Sequence, residues 1–248
     1  MDLTCEERLS DSSFVERVWR SQGEREGNFI SSAEIHYGMV VTKHQGKTIF
    51  TVRGPEIRAT PAYCPPDAEF IGIVFKPGTF IQHLPAGMVM DRQDMNLPDA
   101  NSQSFWLNGR AWQFPEYENA DTFVDWLVRD GLLVHDALVD AVIRGEPLDM
   151  SLRTVQRRFL QATGLTQGDV RQIERARYAT TLLKQGVPIL DAAFEAGYFD
   201  QPHLTRSLRQ YIGLTPAQIL DNTRTERLSV FYDLPPVLIE SSGLLAAV

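Results

Sequence analysis

The sequence predicts an α+β chain in two domains, mostly β in its first half and all-helical in its second. Three observations carry this prediction. At 248 residues the chain exceeds the common single-domain size. Up to about residue 115, β-branched and aromatic runs alternate with Gly and Pro. From about Asp121, apolar residues recur at helical spacing instead. The expected divisions are 1–118 for the β-rich domain, 121–222 for the helical domain and 223–248 for a C-terminal tail.

In the first half, Tyr37-Gly-Met-Val-Val-Thr42 and Lys47-Thr-Ile-Phe-Thr-Val-Arg53 read as strands joined by a turn at His44-Gln45-Gly46. Glu69-Phe-Ile-Gly-Ile-Val-Phe75 is a third strand, stopped by Pro77-Gly78. The domain is expected to be cupin-like or of another β-rich architecture. Phe105, Trp106, Trp112 and Phe114 cluster in one segment and are read as packing in the core or between domains, with pocket lining as the alternative. Of five histidines, only His36 and His44 with Glu34 are placed to meet across a hairpin; structural roles are the stronger reading, so no metal site is expected. Cys5 and Cys64 are too few for a disulfide framework or zinc cluster, which suits a reducing compartment.

In the second half, Phe123, Trp126 and Leu127 give one amphipathic segment, and Leu138, Val142 and Ile143 a second over about Asp136 to Arg144. Ser151 caps the next helix, whose inward stripe is Leu152, Val155 and Phe159; Arg153, Gln156 and Arg157 point the other way. Gly164 ends it. A long helix follows from about Thr166 to Gln185, roughly 30 Å at 1.5 Å per residue, stopped at Gly186. Residues 186–216 then read as two short helices joined by a tight turn. The first runs from Pro188 to Ala196, with Ile189, Ala192, Ala193 and Ala196 on its packing side and Gly197 at its end. Asp200 caps the second, in which Leu204, Leu208 and Ile212 face the core. Gln201, Thr205 and Arg209 form one outward row and Pro202 and Arg206 its neighbour.

A short turn holding a Gly between two such helices is the helix-turn-helix connection, which places its second helix in the major groove of DNA. Arg reads guanine and Gln adenine there, and Thr bonds a base or a phosphate. The alternative for an amphipathic helix is an ordinary solvated charged face.

The chain resembles the AraC/XylS family of bacterial transcription regulators over roughly Asp121 to Leu220. The matching residues are Ser151, Gln156-Arg157-Arg158-Phe159, Gly164-Leu165, Arg177, Ala179, Leu182-Leu183, Ile189-x-Asp191-x-Ala193, Ala196-Gly197-Tyr198-x-Asp200-Gln201-x-His203-Leu204-Thr205-Arg206 and Gly213-x-Thr215-Pro216. The resemblance implies two helix-turn-helix units flanking a long connecting helix. It also implies a DNA-reading face of Arg153, Gln156 and Arg157 in the first unit and Gln201, Pro202, Thr205 and Arg206 in the second. It implies double-stranded promoter or operator DNA as partner and an N-terminal domain that senses a small-molecule effector, forms a homodimer, or both. RNA polymerase would be a further partner of an activator. The first unit departs from the family pattern, since Arg144-Gly-Glu-Pro-Leu-Asp-Met150 replaces the usual Ala and Gly and lengthens the turn. In the second, Leu208 stands where the family generally keeps Phe.

Charge follows the same division. Residues 151–227 hold eleven Lys/Arg against seven Asp/Glu, a net of +4, while residues 1–150 stand at −10 and the whole chain at −8. The basic surplus therefore sits on the helix-turn-helix segment. No P-loop, Gly-rich dinucleotide turn or G-x-S-x-G motif occurs, so no catalytic residue and no cofactor are expected. The N-terminus shows no signal-peptide pattern and no apolar run reaches membrane-spanning length, so the expectation is a soluble, cytoplasmic chain. The alternatives to a DNA-binding regulator are an effector-binding or protein-interaction module whose units no longer read DNA, and an enzyme with a regulatory tail.

Overall fold

The computed structural model describes residues 3–23, 26–91, 95–221 and 227–228. Strands β1 (Leu3–Leu9), β2 (Val15–Gly23), β3 (Gly27–Ser31), β4 (Gly38–His44), β5 (Lys47–Arg53), β6 (Thr60–Cys64), β7 (Ala68–Phe75) and β8 (Thr79–Ile81) come first. The short helix α1 (Ala86–Val89), strands β9 (Met95–Asn96), β10 (Asp99–Asn101), β11 (Ser104–Leu107) and β12 (Arg110–Gln113), helix α2 (Ala120–Arg129) and strand β13 (Leu133–His135) complete the β-rich body. Helices α3 (Ala137–Ile143), α4 (Leu152–Thr163), α5 (Gln167–Lys184), α6 (Ile189–Glu195), α7 (Gln201–Tyr211) and α8 (Pro216–Leu220) follow, then strand β14 (Arg227–Leu228). Among the described residues no helix is long and apolar enough to cross a membrane. The apolar tail segment Leu234–Glu240 lies outside them.

An antiparallel six-stranded sheet, in the order β1-β2-β7-β4-β5-β9, forms the frame. Its β4–β5 hairpin turns at Gln45 (φ 49°) and Gly46 (φ 74°). Two left-handed residues in succession match the right-handed twist of the strands they join. The inner face buries Val18, Met39, Phe50, Val52, Ile73 and Phe75. Rings fill the space above it: Phe50 and Phe105 lie 4.2 Å apart between centroids, and Phe123 meets Trp112 edge-on at 6.2 Å. The aromatic segment is thus core packing at Phe105, Trp112 and Phe114, whereas Trp106 is exposed on the opposite face of β11.

Helix α2 lies on this same core, burying Phe123, Val124 and Leu127 while Trp126 turns to solvent. Strand β13 then pairs with β8. A second small sheet joins β3, β6 and β14, with β14 parallel to β3.

The β-rich body and the helices share apolar surface. Ala33 and Ile35 of the body are buried together with Leu138, Val139, Val155, Phe159 and Ile173 of the helices. The amide N–H groups of Ala33 and Ala59 donate to the carbonyls of Tyr211 (2.7 Å) and Gln210 (2.8 Å). Those carbonyls belong to the last turn of α7, which has no partner for them within the helix. Gly213, at φ 80°, lies against the same surface, where a Cβ would meet Ile30 Cγ2 at 2.6 Å. A side chain there is excluded by contact as well as by backbone conformation.

Candidate nucleic-acid interface

The second helix-turn-helix is α6, a turn at 196–200, and α7. Alanines at 192, 193 and 196 are buried on α6, so α7 crosses at close range. Gly197 takes φ 72°; its N–H donates to the Phe194 carbonyl at 3.0 Å, and the Tyr198 N–H to the Ala193 carbonyl at 2.8 Å. This left-handed stop closes the end of α6 in few residues. Tyr198 fixes the turn. Its buried hydroxyl bonds Ser207 Oγ at 2.8 Å, the Arg175 guanidinium lies 4.3 Å over its ring, and His203 packs edge-on at 5.1 Å. Asp200 accepts from the His203 N–H at 2.7 Å and caps α7.

Helix α7 buries Leu204, Leu208 and Ile212 against Ala179 and Leu183 of α5. Gln201, Pro202, Arg206 and Arg209 are exposed and Thr205 is half-buried. The Thr205 hydroxyl donates to the Gln201 carbonyl at 2.9 Å, which leaves its oxygen to act as an acceptor. Phe199, immediately before the cap, is 85% exposed beside this face. Sequence reasoning gave it no role, because a single aromatic in a turn carries no periodic signal.

In the first unit, Asp136 caps α3 by accepting from the Leu138 N–H at 3.1 Å and holds Arg158 Nη2 at 2.6 Å. Arg158 therefore braces α4 against α3. Ser151 caps α4, Val155 and Phe159 are buried, and Gly164 ends it at φ 73°. Arg153, Gln156 and Arg157 are exposed on the opposite face. Leu152 departs from the expected inward stripe and is 68% exposed. An eight-residue turn separates α3 from α4. All seven residues expected to read DNA thus lie on α4 or α7, away from the buried stripes.

Helix α5 joins the units over 18 residues, about 27 Å. Thr166 and Asp169 close a capping box at its start, with 2.9 and 3.1 Å bonds. From its middle, buried Arg177 reaches Glu34 of the body (3.2 Å) and Glu174 (3.6 Å). Glu34 also pairs with His36 Nδ1, and His36 Nε2 lies 2.9 Å from Glu16. The candidate set Glu34, His36 and His44 is therefore not assembled: Glu34 and His36 sit in ion pairs, while His44 ends β4 at the hairpin tip. Burial opposes the charge on Glu34, yet His36 and Arg177 outweigh it and hold its carboxyl well below the usual range. Burial likewise opposes the charge on His36, but Glu34 and Glu16 raise its pKa to about 9. Glu174 goes the other way, with burial pushing its carboxyl up despite Arg177. No sequence signal could have paired Glu34 with Arg177 across 143 positions.

Two helix-turn-helix units on a common connecting helix define the class: the C-terminal region carries an AraC/XylS-type helix-turn-helix domain. Residues 146–222 match a family model described as a helix-turn-helix domain. The HTH-type transcriptional regulator VirS of Mycobacterium tuberculosis, in strains CDC 1551 / Oshkosh and ATCC 25618 / H37Rv, is 42% identical over 74 residues. That match covers 29% of this chain and 22% of each relative, so less than a quarter of the curated relatives' length is spanned. No solved structure matches the chain.

Proposed function

We propose that the chain is a sequence-specific DNA-binding transcription regulator. The observation that carries this reading is the placement of six exposed candidate residues and the half-buried Thr205 on two capped helices, one in each unit. Gln201, Thr205 and Arg206 read one major-groove segment, with Pro202 in contact beside them. Arg153, Gln156 and Arg157 read or clamp the next segment. Each good bidentate base contact contributes about 1–3 kcal/mol of discrimination. The N-terminal part is acidic, at net −10 over residues 1–150, so the β-rich body stays off the phosphates and serves as the sensing or dimerising part. A regulator of this kind works in the cytoplasm on promoter DNA, and as an activator would also meet RNA polymerase.

The test is in vitro selection from random double-stranded DNA by the full chain, at roughly 0.15 M salt, where long-range phosphate attraction is screened. Enrichment of one motif with two contacts about a helical turn apart supports both units as readers. A motif confined to one half assigns the first unit to backbone clamping. No enrichment favours the protein-interaction module instead.

A further inference from the structure

Phe199 is 85% exposed, more than any other large apolar side chain among the described residues. A single apolar residue in water is ordinary on a protein surface. What sets this one apart is where the fold holds it. Gly197, at φ 72°, ends α6, and Tyr198 after it is buried with its hydroxyl on Ser207 Oγ, so the inward place in the turn is taken. On the other side Asp200 is extended, at φ −155° and ψ 171°, and its carboxylate is held by the His203 N–H at 2.7 Å. Phe199 thus stands between a buried anchor and a helix cap, turned outward. Its backbone is fixed before any contact is made, and only two side-chain torsions remain to be immobilised, which keeps the entropy cost of using the ring low.

The ring also lies at the end of α7 that carries the exposed Gln201 and Pro202. A recognition helix meets base edges with its N-terminal residues. In the major groove the bases show donors, acceptors and one apolar group, the C5-methyl of thymine. A phenyl ring has no hydrogen-bonding atom to offer a base edge or a phosphate oxygen. Apolar contact with the thymine methyl is the one readout open to it.

We propose that Phe199 is a specificity-determining residue whose ring packs on the C5-methyl of a thymine in the segment read by the second unit. The inference rests on the DNA-reading proposal above and adds one base to it, chosen by apolar contact rather than by a hydrogen bond. Phe199 precedes the first residue of α7, so that thymine lies on the Gln201 side of the segment and not on the Arg206 side.

The experiment measures affinity of the full chain for its selected motif, with each thymine replaced in turn by uracil. That exchange deletes the methyl and keeps every hydrogen-bonding atom of the base. The relevant half of the motif is the one whose preference changes in Arg206→Ala. At one thymine of that half the natural chain should lose about fourfold in affinity, the worth of one buried methyl-sized group. Phe199→Ala should bind the thymine site about fourfold or more weakly and lose all sensitivity to that methyl, with sensitivity at other positions kept. Phe199→Leu, smaller but apolar, should retain part of it. Because the ring is exposed, thermal melts of both variants should match the natural chain, which separates lost contact from lost fold. A half-site with no methyl-sensitive thymine, or a sensitivity that survives Phe199→Ala, overturns the role of Phe199 and leaves the reading by Arg206 standing. No selected motif, or a profile unchanged by Arg206→Ala, overturns the second unit's DNA reading and this inference with it.

Discussion

The two helix-turn-helix units are assembled from the same parts and differ in what holds them. The second is held mainly by its own parts: a turn of five residues, three buried alanines and the Tyr198–Ser207 bond join α6 to α7, α5–α8 and the turns between supply the buried core, and the body meets it at Ile30 and at the last turn of α7. The first has an eight-residue turn, and its core takes in Ala33 and Ile35 from the β-rich body. The start of α7 is thus fixed locally, by its cap and the Tyr198–Ser207 bond, whereas the first unit shares its buried core with the body.

Breaking the borrowed core gives the largest effect. Phe159→Ala removes a fully buried ring and should cost about 3–5 kcal/mol in chemical denaturation. All four tryptophans, at 19, 106, 112 and 126, lie in the body, so their fluorescence reports on the body alone. The fluorescence midpoint should fall in Phe159→Ala and fall less in Leu208→Ala. Equal shifts would erase the contrast between the units.

Arg177→Met strikes the ionic tie between body and connecting helix. Removing one member of a buried pair costs about 3 kcal/mol or more, since the remaining charge stays buried. Adding Glu34→Gln should restore part of the loss; a double variant no better than the single would show that the pair is not coupled.

The same cluster makes stability depend on pH. His36 is raised from 6.5 to about 9 on folding, so the stability it contributes is complete below pH 6.5 and lost as pH rises through about 9. Glu34 is lowered, so its contribution is present above its ordinary value of 4.5 and lost as pH falls through its depressed one. Thermal melts should therefore decline from pH 6.5 to 9 in the natural chain and much less in Glu34→Gln. A flat profile in the natural chain would contradict the pairing.

The smallest effect tests the caps. Ser151→Ala and Asp200→Ala should each cost about 1 kcal/mol of stability. Because α4 also leans on the body, DNA affinity should suffer more from Asp200→Ala.

Much of this was legible from residues alone. Ser151, Thr166, Asp200, Gly164 and Gly197 mark helix ends by local chemistry, and each stands at the end it was expected to mark. The Lys47–Arg53 strand and its hairpin followed from a β-branched and aromatic run and the turn at His44-Gln45-Gly46. What stayed hidden is contact between distant segments. The stripe of Phe123 and Leu127 announces a helix but not which core receives it, and α2 packs with the sheet. Leu152 fits the apolar period of α4, yet nothing in sequence says that it stays exposed at the first position of the helix. The caps that the body supplies to Gln210 and Tyr211 are backbone bonds, which no side-chain pattern encodes.

The most direct test of the account is a base-preference profile of the full chain beside its Arg206→Ala and Arg157→Ala variants on a selected motif. Arg206→Ala should relax preference at one position by about 1–3 kcal/mol and leave the others intact. Arg157→Ala should act on the other half of the motif, or weaken all sequences alike if the first unit clamps the backbone. An Arg206→Ala profile and affinity indistinguishable from those of the natural chain would contradict DNA reading by the second unit.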